Sequence, residues 1–597
     1  MFSSSFLIVT GLLLASQAPD TLKTAVVVAD KGMIVSQSDT VLISNRTDVT
    51  QALSRIPTLI VGDMGGPAGL KSVNLRGLGS AHTAVYFDGV RVSNAQSGQT
   101  DLGMLDIDNC SGIVVDYAQN SLSFNTSKPE FGSGKFAGDV KFRGGSFGTY
   151  EPSARLDFKL SDKVSLSAIS SGTFSKGDFI YDDNSRRDNN DISQVRAGVD
   201  VWGLMDRGSW HSKAYFNGSE RGTPGSTDWP SADRQKDRNV FVQGVVQNRF
   251  TSRYTLSASA KVSYDDLFYF SEWGDSRYSV AGFQLNTSHM VRLAPWAELS
   301  VAADIQRDAL KATDYEAGRT TLISAVTSAF RIDRFKADVS VEYSGTFDSG
   351  AKRLNTLSPS SDFRYAITDG LSLAAFGRRA CRVPVFNELY YPGFGNPDLK
   401  HEDAWLSSVG PQWRRQAGGW SVNAEADFSY NFIKDKIVSA PSTENPGYWY
   451  PYNIGKALMY GADLKAGAAY ENGDWTGSFS AAYSWQNTKD KTPDSASYGE
   501  QIPFVARHSL AVSLNGSFKG LSLDLLWNLR AGRRDSYSEM PDYSTIDITV
   551  GKDFRLGKGH SFALKLIARN LTDTRYELSS GYPMPGRALY GCVEYRF

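Results

Sequence analysis

The stretch Asn74–Asn94, NLRGLGSAHTAVYFDGVRVSN, decides the fold that we expect for this chain. Its dipeptide Asp88-Gly89 lies between two apolar pairs, Val85 with Phe87 and Val90 with Val92. An Asp-Gly dipeptide between two short apolar runs is typical of a β-hairpin. The glycines around it mark positions where the backbone turns or is closely approached. The stretch therefore predicts a small β-rich unit.

The same stretch resembles the plug signature of TonB-dependent outer-membrane receptors. The match consists of Arg76-Gly77 followed by Asp88-Gly89-Val90-Arg91. The resemblance implies an N-terminal α/β plug domain inside a transmembrane β-barrel of about 22 antiparallel strands. Arg76 would then lie inside the barrel, where a buried cation requires a carboxylate partner. We therefore expect a barrel Asp or Glu beside Arg76.

The composition is consistent with this fold but does not distinguish it from other large β-proteins. The 597 residues carry a net charge of -1, with 12% aromatic residues and 55 glycines. This balance gives no basic excess for nucleic-acid binding. It is equally typical of a large secreted β-protein, such as a propeller or β-helix. The three cysteines form no CxxC motif, so neither a zinc ribbon nor a disulfide framework is predicted.

The N-terminus resembles an export signal over residues 1–18. Phe6–Ala15, FLIVTGLLLA, is an apolar core too short to cross a bilayer, although MFSSS before it has no Lys or Arg. A buried strand or helix is the alternative. In residues 19–47, the β-branched run is by itself an ordinary strand. The resemblance implies instead a Ton box that pairs with TonB by strand addition, formed by Leu22, Lys23, Thr24, Ala25, Val26, Val27, Val28 and Ala29.

The predicted plug covers residues 48–140. Asp48 is expected to cap a short helix over DVTQALSRIP, and a polar loop is expected at Ser93–Gly103. GIVVDY after that loop predicts a strand. The motifs that close the plug in the family are replaced here by FGSGKFAGDVKFRGG, so the boundary is placed at residue 140 within about ten residues.

Residues 141–597 show the two-residue period of a membrane barrel. In Trp420–Phe432, apolar and aromatic residues alternate with polar ones, which is typical of strands with one face to lipid and one to water. No run of eighteen apolar residues occurs, so a helical span is not predicted. The last strand ends in Phe597, which resembles the assembly signal of outer-membrane barrels.

A second resemblance concerns the ligand. Arg382–Glu402, RVPVFNELYYPGFGNPDLKHE, is similar to a stretch of the vitamin B12 receptor branch, and we expect it to shape the barrel rim. The apical plug loops should supply the ligand contacts. Neutral polar groups suit a corrinoid, which carries amide side chains, better than they suit an anionic iron chelate. The candidate substrate-binding residues are Ser80, His82, Asn94, Gln96 and Gln99.

Asp178–Asp191, DFIYDDNSRRDNND, is rich in the oxygen ligands that Ca²⁺ prefers, but it lacks the spacing of an EF-hand. A solvated polar loop is the simpler reading. B12 receptors order their outer loops with calcium at a similar position, and this resemblance implies a site. Its candidate ligands are Asp182, Asp183, Asp188, Asn190 and Asp191.

The two resemblances together imply a TonB-dependent transporter of corrinoids in a Gram-negative outer membrane. The resemblance also implies TonB with ExbB and ExbD as partners, calcium in the outer loops, and a surface lipoprotein that binds corrinoids. A receptor for a siderophore, haem or glycan is one alternative, and a passive porin or adhesin is another. No G-x-S-x-G, H-E-x-x-H, Walker or Rossmann motif occurs, so enzyme activity is not predicted.

Overall fold

A computed structural model describes residues 38–42, 49–132, 134–182, 185–349, 353–441, 449–536, 538–557 and 559–597. The predicted signal peptide at residues 1–18 and the predicted Ton box at Leu22–Ala29 lie outside the described residues, as does Asp183. Across the described ranges, no helix combines the length and apolar character that crossing a membrane would require.

The described residues 38–42 and 49–132 form the unit that we call the plug. In chain order its strands and helix are β1 (Ser38–Leu42), α1 (Val49–Leu53), β2 (Leu59–Asp63), β3 (Lys71–Leu75), β4 (Ala84–Phe87), β5 (Val90–Val92), β6 (Cys110–Asp116) and β7 (Ser121–Thr126). One sheet has the order β1-β6-β7-β4-β5, and β2 pairs with β3. Asp48 is outside the described residues, and α1 ends at Leu53, earlier than the helix that we expect over DVTQALSRIP.

The expected hairpin is present at Asp88-Gly89. Val85 of β4 lies opposite Val92 of β5, and Phe87 lies opposite Val90. β4 is also hydrogen-bonded to β7, in parallel. Because side chains alternate along β7, Leu122 and Phe124 both point into the plug core and are fully buried.

The plug core is continuous with the inner wall of a barrel. Buried apolar side chains of α1, β2–β4, β6 and β7 belong to one cluster with Tyr215, Phe241 and Phe376. Phe87 contacts Tyr215 edge-on, with ring centroids 5.8 Å apart. This packing places the plug inside the barrel.

The remaining chain is built almost entirely of strands. In chain order they are β8 (Phe136–Gly145), β9 (Thr149–Lys159), β10 (Val164–Ser175), β11 (Ile180–Asp182), β12 (Ser185–Arg186), β13 (Ile192–Met205), β14 (Gly208–Gly225), β15 (Pro230–Arg249), β16 (Tyr254–Phe270), β17 (Ser276–Ala294), β18 (Ala297–Ala312), β19 (Glu316–Ile332), β20 (Phe335–Asp348), β21 (Leu354–Ala366) and β22 (Leu371–Arg382). The second half continues with α2 (Phe386–Tyr390), β23 (Glu402–Ala417), β24 (Trp420–Pro441), β25 (Trp449–Asn472), β26 (Trp475–Asp490), β27 (His508–Phe518), β28 (Leu521–Ala531), β29 (Arg533–Arg534), β30 (Glu539–Met540), β31 (Tyr543–Gly557), β32 (His560–Arg569), β33 (Glu577–Ser579), β34 (Tyr582–Pro583) and β35 (Ala588–Arg596).

Twenty-two of these strands close into an antiparallel barrel, which confirms the predicted fold class. The pairs β11–β12, β29–β30 and β33–β34 are small hairpins outside it. The last strand, β35, closes the barrel against the first, β8, with Tyr590 opposite Gly145. β8 begins at Phe136, so the wall starts slightly before the predicted boundary at residue 140.

The outer face of the wall is apolar. Trp420 is 51% exposed and Phe428 is 54% exposed, whereas Asp427, the residue before Phe428, points inward to Arg76. Phe597 packs against Phe136, with ring centroids 5.3 Å apart. This alternation is typical of strands with one face in lipid and one against a polar interior.

The two rims differ. At one rim the strands are joined by short turns, such as residues 206–207 and 418–419. At the opposite rim, which we call the outer rim, the long connections 176–191, 383–401, 491–507 and 570–587 occur. Because outer-membrane barrels have short periplasmic turns and long extracellular loops, the outer rim faces outside the cell.

Candidate functional site

Arg76 of the plug signature is the first link between plug and wall. Its Nη2 forms an ion pair with Asp427 and lies 3.5 Å from Oδ2 of Asp463. The guanidinium also lies over the ring of Tyr117, 4.9 Å from the centroid. The expected barrel carboxylate is therefore present, and there are two of them.

Asp88 of the same signature forms a second link, which the sequence did not predict. Lys213 of β14 is fully buried, and its Nζ lies 3.1 Å from Asp88 and 3.1 Å from Asp200. Thr126 donates to Asp88 from its backbone N and its hydroxyl, at 2.7 and 2.8 Å. Burial raises the pKa of the Asp88 carboxyl, but Lys213 and these hydrogen bonds outweigh it and hold the pKa below its ordinary value.

This cluster also contains the one group of potential metal ligands found among the described residues, Asp88, Asp200 and His211. His211 Nε2 lies 2.6 Å from Asp200 Oδ1. The ammonium of Lys213 already lies between the two carboxylates, so it supplies the positive charge that a metal ion would bring. We interpret the cluster as an ion-pair link between plug and wall.

His82, predicted to bind the substrate, is instead buried and contacts a barrel residue. Its side chain is only 4% exposed, and Nε2 lies 2.5 Å from Glu402 Oε2. Arg382 forms ion pairs with both Glu402 and Glu388, the latter at 2.9 Å. Because its ring contacts Glu402 instead of the apical surface, His82 links the plug to the stretch 382–402. Ser80 is partly buried in the same 3-10 turn, Ser80–His82.

The other three predicted ligand residues lie on one plug loop at the outer rim. Asn94 Oδ1 accepts hydrogen bonds from the backbone N of Gln96 and Ser97, which fixes a tight turn. Gln96 is buried, whereas Gln99 is exposed. Gln99 is therefore the one most open to a ligand from outside.

This plug loop is joined to α2 by backbone hydrogen bonds. Phe386 N donates to Ala95 O, and Asn387 N donates to Gln96 O, both at 3.0 Å. The stretch 382–402 thus shapes the outer rim, as expected, and also holds an apical plug loop in place.

In the predicted calcium loop, two of the candidate acidic ligands are paired with arginines. Asp191 forms an ion pair with Arg234 at 2.8 Å, and Asp182 lies 3.4 Å from Arg575. Asn190 is buried, and its Nδ2 donates to the carbonyls of Gly65 and Gly177. Asp188 is exposed. Asn190 therefore fastens this loop to the plug, and calcium binding here stays a prediction.

A cavity of about 260 Å³ lies between the plug and the wall. Its plug side is formed by α1, β2 and the segment 102–108, and its wall side by strands at both ends of the barrel sequence. Arg530, Arg533, Tyr543 and Tyr576 line it near the outer rim. Nothing in the sequence predicted this cavity, because its lining is scattered from Val49 to Tyr590 and comes together only when the barrel closes around the plug.

Proteins of known function resemble this chain over most of its length. A relative named Vitamin B12 transporter BtuB, from Photobacterium profundum, is 23% identical over 587 residues, covering 92% of this chain and 90% of the relative. A relative of the same name from Vibrio vulnificus is 25% identical over 592 residues, covering 93% of this chain and 90% of the relative.

Solved structures show the same fold at low sequence identity. The copper transporter OprC superposes with a TM-score of 0.76 at 15% identity, covering 94% of this chain and 98% of that chain. The siderophore receptor PiuA from Acinetobacter baumannii gives a TM-score of 0.75 at 12% identity, covering 94% and 97%. At such identities the likeness establishes the fold alone.

The family described as TonB dependent receptor-like, beta-barrel matches residues 79–571, which is most of the chain. The proteins named above are transporters and receptors and not enzymes. With the closed barrel and the plug inside it, this match shows that the chain belongs to the TonB-dependent receptors, transporters of the Gram-negative outer membrane that bind a substrate and draw energy through TonB.

Proposed function

We propose that this transporter carries vitamin B12 and related corrinoids. The observation that carries the proposal is the match to two relatives named vitamin B12 transporters, each along more than nine-tenths of this chain. The chemistry of the plug loop supports it. Asn94, Gln96 and Gln99 offer neutral donors and acceptors, which suit the amide groups of a corrinoid.

The energy for transport would enter through the N-terminus. Strand addition requires an extended segment with a free backbone edge, and Leu22–Ala29 has the β-branched composition of such a segment. TonB, driven by ExbB and ExbD, would pull on this segment and rearrange the plug. The ion pairs of Arg76 and Asp88 are the contacts that this rearrangement must break.

Deletion of residues 22–29 tests the coupled mechanism. Cells that express the deletion variant should bind radiolabelled cyanocobalamin as tightly as wild type but fail to accumulate it. Equal amounts of the wild-type and deletion proteins in the outer membrane, measured by immunoblot, are the control, because a lower amount of receptor would also lower accumulation. Accumulation that persists without residues 22–29 would instead indicate a passive porin.

A further inference from the structure

The outer end of the cavity between plug and wall contains Arg530 and Arg533, which differ from most other charged residues of the cavity in their partners. Most charged residues along the cavity are paired with an opposite charge: Lys71 with Asp63 at 3.4 Å, Arg143 with Glu151 at 2.5 Å, and Arg221 with Asp101 at 2.9 Å. In contrast, no carboxylate of the described residues lies within ion-pair distance of Arg530 or Arg533.

Arg533 is 5% exposed, and only backbone carbonyls accept its hydrogen bonds. Nη1 donates to Glu577 O and Nη2 to Pro541 O, both at 2.7 Å. Its buried Nε donates to none of the described residues. A guanidinium has five N–H donors, so Arg533 keeps donors for a further acceptor.

The two carboxylates that act electrostatically on Arg533, Asp542 and Glu577, form their hydrogen bonds elsewhere. Asp542 Oδ1 accepts from Gly532 N at 2.8 Å, and Glu577 Oε2 accepts from Gly581 N at 2.9 Å. Both acidic side chains therefore stabilise the backbone of their own loops. They leave the positive charge of Arg533 without a direct counter-ion.

Arg530 is placed beside Arg533 by the register of the wall. It lies opposite Tyr543 in the β28–β31 pair, and the guanidinium of Arg533 lies 4.6 Å from the ring centroid of the same tyrosine. Tyr543 in turn stacks on Tyr576, with ring centroids 4.5 Å apart. Two cations thus converge on one tyrosine pair.

The hydrogen bonds of Arg530 are long. Nη2 lies 3.3 Å from Ser54 O, and Nη1 lies 3.1 Å from Leu529 O and 3.4 Å from Leu510 O. Contacts of this length are near or beyond the upper end of the usual range, and a charged acceptor would compete well with them. The Ser54 carbonyl belongs to the plug, so this bond is released when the plug moves.

We propose that Arg530 and Arg533 bind a phosphate group inside the barrel, and that its source is the phosphodiester of a corrinoid that carries its nucleotide loop. This step rests on the proposed function. An anion that leaves water for a narrow protein cavity loses hydration, and two unpaired guanidiniums offset that cost through charge-assisted hydrogen bonds. The tyrosine pair provides an apolar surface next to the phosphate.

The cavity has room for such a group. By the measure in which a single water needs about 10–15 Å³, it offers about 260 Å³. A whole corrinoid is larger, so the site acts during passage, after α1 and β2 have moved. The arginines therefore influence the rate of uptake of a phosphodiester-bearing corrinoid and do not contribute to binding at the outer face.

The site itself is tested with inorganic phosphate and the full-length protein in detergent. Phenylglyoxal modifies arginines, and mass spectrometry locates the label. Phosphate should protect Arg530 and Arg533 and should leave Arg587 labelled. Arg587 is the matched control, because it is exposed on the neighbouring loop and does not line the cavity. Equal labelling of Arg530 and Arg533 with and without phosphate would overturn the site.

The source of the phosphate is tested by uptake. Cyanocobalamin contains the phosphodiester, and cobinamide lacks it. The double variant Arg530→Gln/Arg533→Gln should take up cyanocobalamin about tenfold more slowly, the loss expected for one charge-assisted hydrogen bond. Its cobinamide uptake and its equilibrium binding of both ligands should equal those of wild type. The variant Arg587→Gln should behave as wild type throughout.

The outcomes separate the two proposals. Equal slowing of both ligands would mean a structural role and would overturn the phosphodiester assignment. Protection by free phosphate with no ligand-selective slowing would limit the site to free phosphate, which also overturns that assignment. A wild-type protein that neither binds nor takes up a corrinoid would overturn the proposed function, whereas the phosphate site would still be decided by protection.

Discussion

Asp427 of β24 and Asp463 of β25 lie directly opposite each other on the inner face of the barrel. Two like charges in this position are destabilising on their own. Arg76 of the plug forms ion pairs with both, at 3.5 Å from Asp463. The wall thus contains an acidic pair that gains a shared cationic partner when the plug signature is docked.

Replacement of Arg76 should therefore loosen the plug. Arg76→Gln leaves two buried carboxylates facing each other, and breaking a buried ion pair costs about 3–5 kcal/mol. Hydrogen exchange of the plug amides should accelerate, while the barrel amides remain protected. Arg76→Gln/Asp427→Asn should recover part of the protection, because only one carboxylate then stays unpaired. Equal exchange in the single and double variants would contradict this account.

A second prediction concerns Gly98, where the plug loop contacts the outer rim. Its φ is +71°, and a Cβ at this position would lie 2.7 Å from Cγ1 of Val385. Gly98→Ala should therefore separate this loop from α2 and weaken corrinoid binding by about tenfold, for a cost of about 1.4 kcal/mol. Titration of the purified variant with cyanocobalamin measures the effect.

The double variant Gly98→Ala/Val385→Ala is the control for the clash. It removes the contacting methyl group but keeps the strained backbone, so it should recover part of the affinity. Unchanged affinity in Gly98→Ala alone would show that the contact between the plug loop and α2 is not needed for binding.

A third prediction concerns the loss of folding stability at low pH. Burial raises the pKa of the Asp108 carboxyl, but Lys141 and Arg143 outweigh it and lower the pKa from 3.8 to about 2. A carboxyl with a lowered pKa contributes stability that is full above its unfolded pKa and is lost as the pH falls through the folded one. Asp108 should contribute about 2 kcal/mol above pH 4, and this contribution should disappear between about pH 4 and pH 2.

Thermal unfolding followed from pH 7 to pH 2 tests this contribution. The variant Asp108→Asn should be less stable than wild type at neutral pH, and the difference should shrink below pH 4. A difference that stays constant down to pH 2 would mean that Asp108 acts through packing and not through its charge.

A fourth prediction concerns calcium at the loop 176–191. If Asp182 and Asp188 supply ligands, a chelator should weaken corrinoid binding, and Asp182→Asn/Asp188→Asn should remove this dependence. Asp191 is held by Arg234, so Arg234→Gln should free an extra carboxylate and strengthen calcium binding. Calorimetric titration of calcium into each protein measures this directly. The absence of a heat of binding in wild type would exclude the site.

Local signals in the sequence predicted the elements that depend on near neighbours. The hairpin at Asp88-Gly89 and the alternation of Trp420–Phe432 follow from residues a few positions apart. The need for a carboxylate near Arg76 followed from charge burial. Its identity did not, because Asp427 and Asp463 meet Arg76 only through strand register and the docking of the plug.

Contacts between residues distant in sequence also explain why the site residues were only partly predicted. The sequence predicted that His82 contacts the ligand, because its loop is polar. In the structure its ring instead contacts the buried carboxylate of Glu402, 320 residues later. Arg530 and Arg533 gave no signal, because an arginine on an inward strand face is ordinary in a barrel. Their lack of a carboxylate partner is visible only in three dimensions.

The central claim is that this TonB-dependent transporter recognises corrinoids. Equilibrium binding of cyanocobalamin to the purified protein, with a ferric siderophore as the competitor, tests it most directly. We predict nanomolar binding of cyanocobalamin that the siderophore does not displace. Binding of the siderophore with no binding of cyanocobalamin would contradict the claim and assign the same fold to iron uptake.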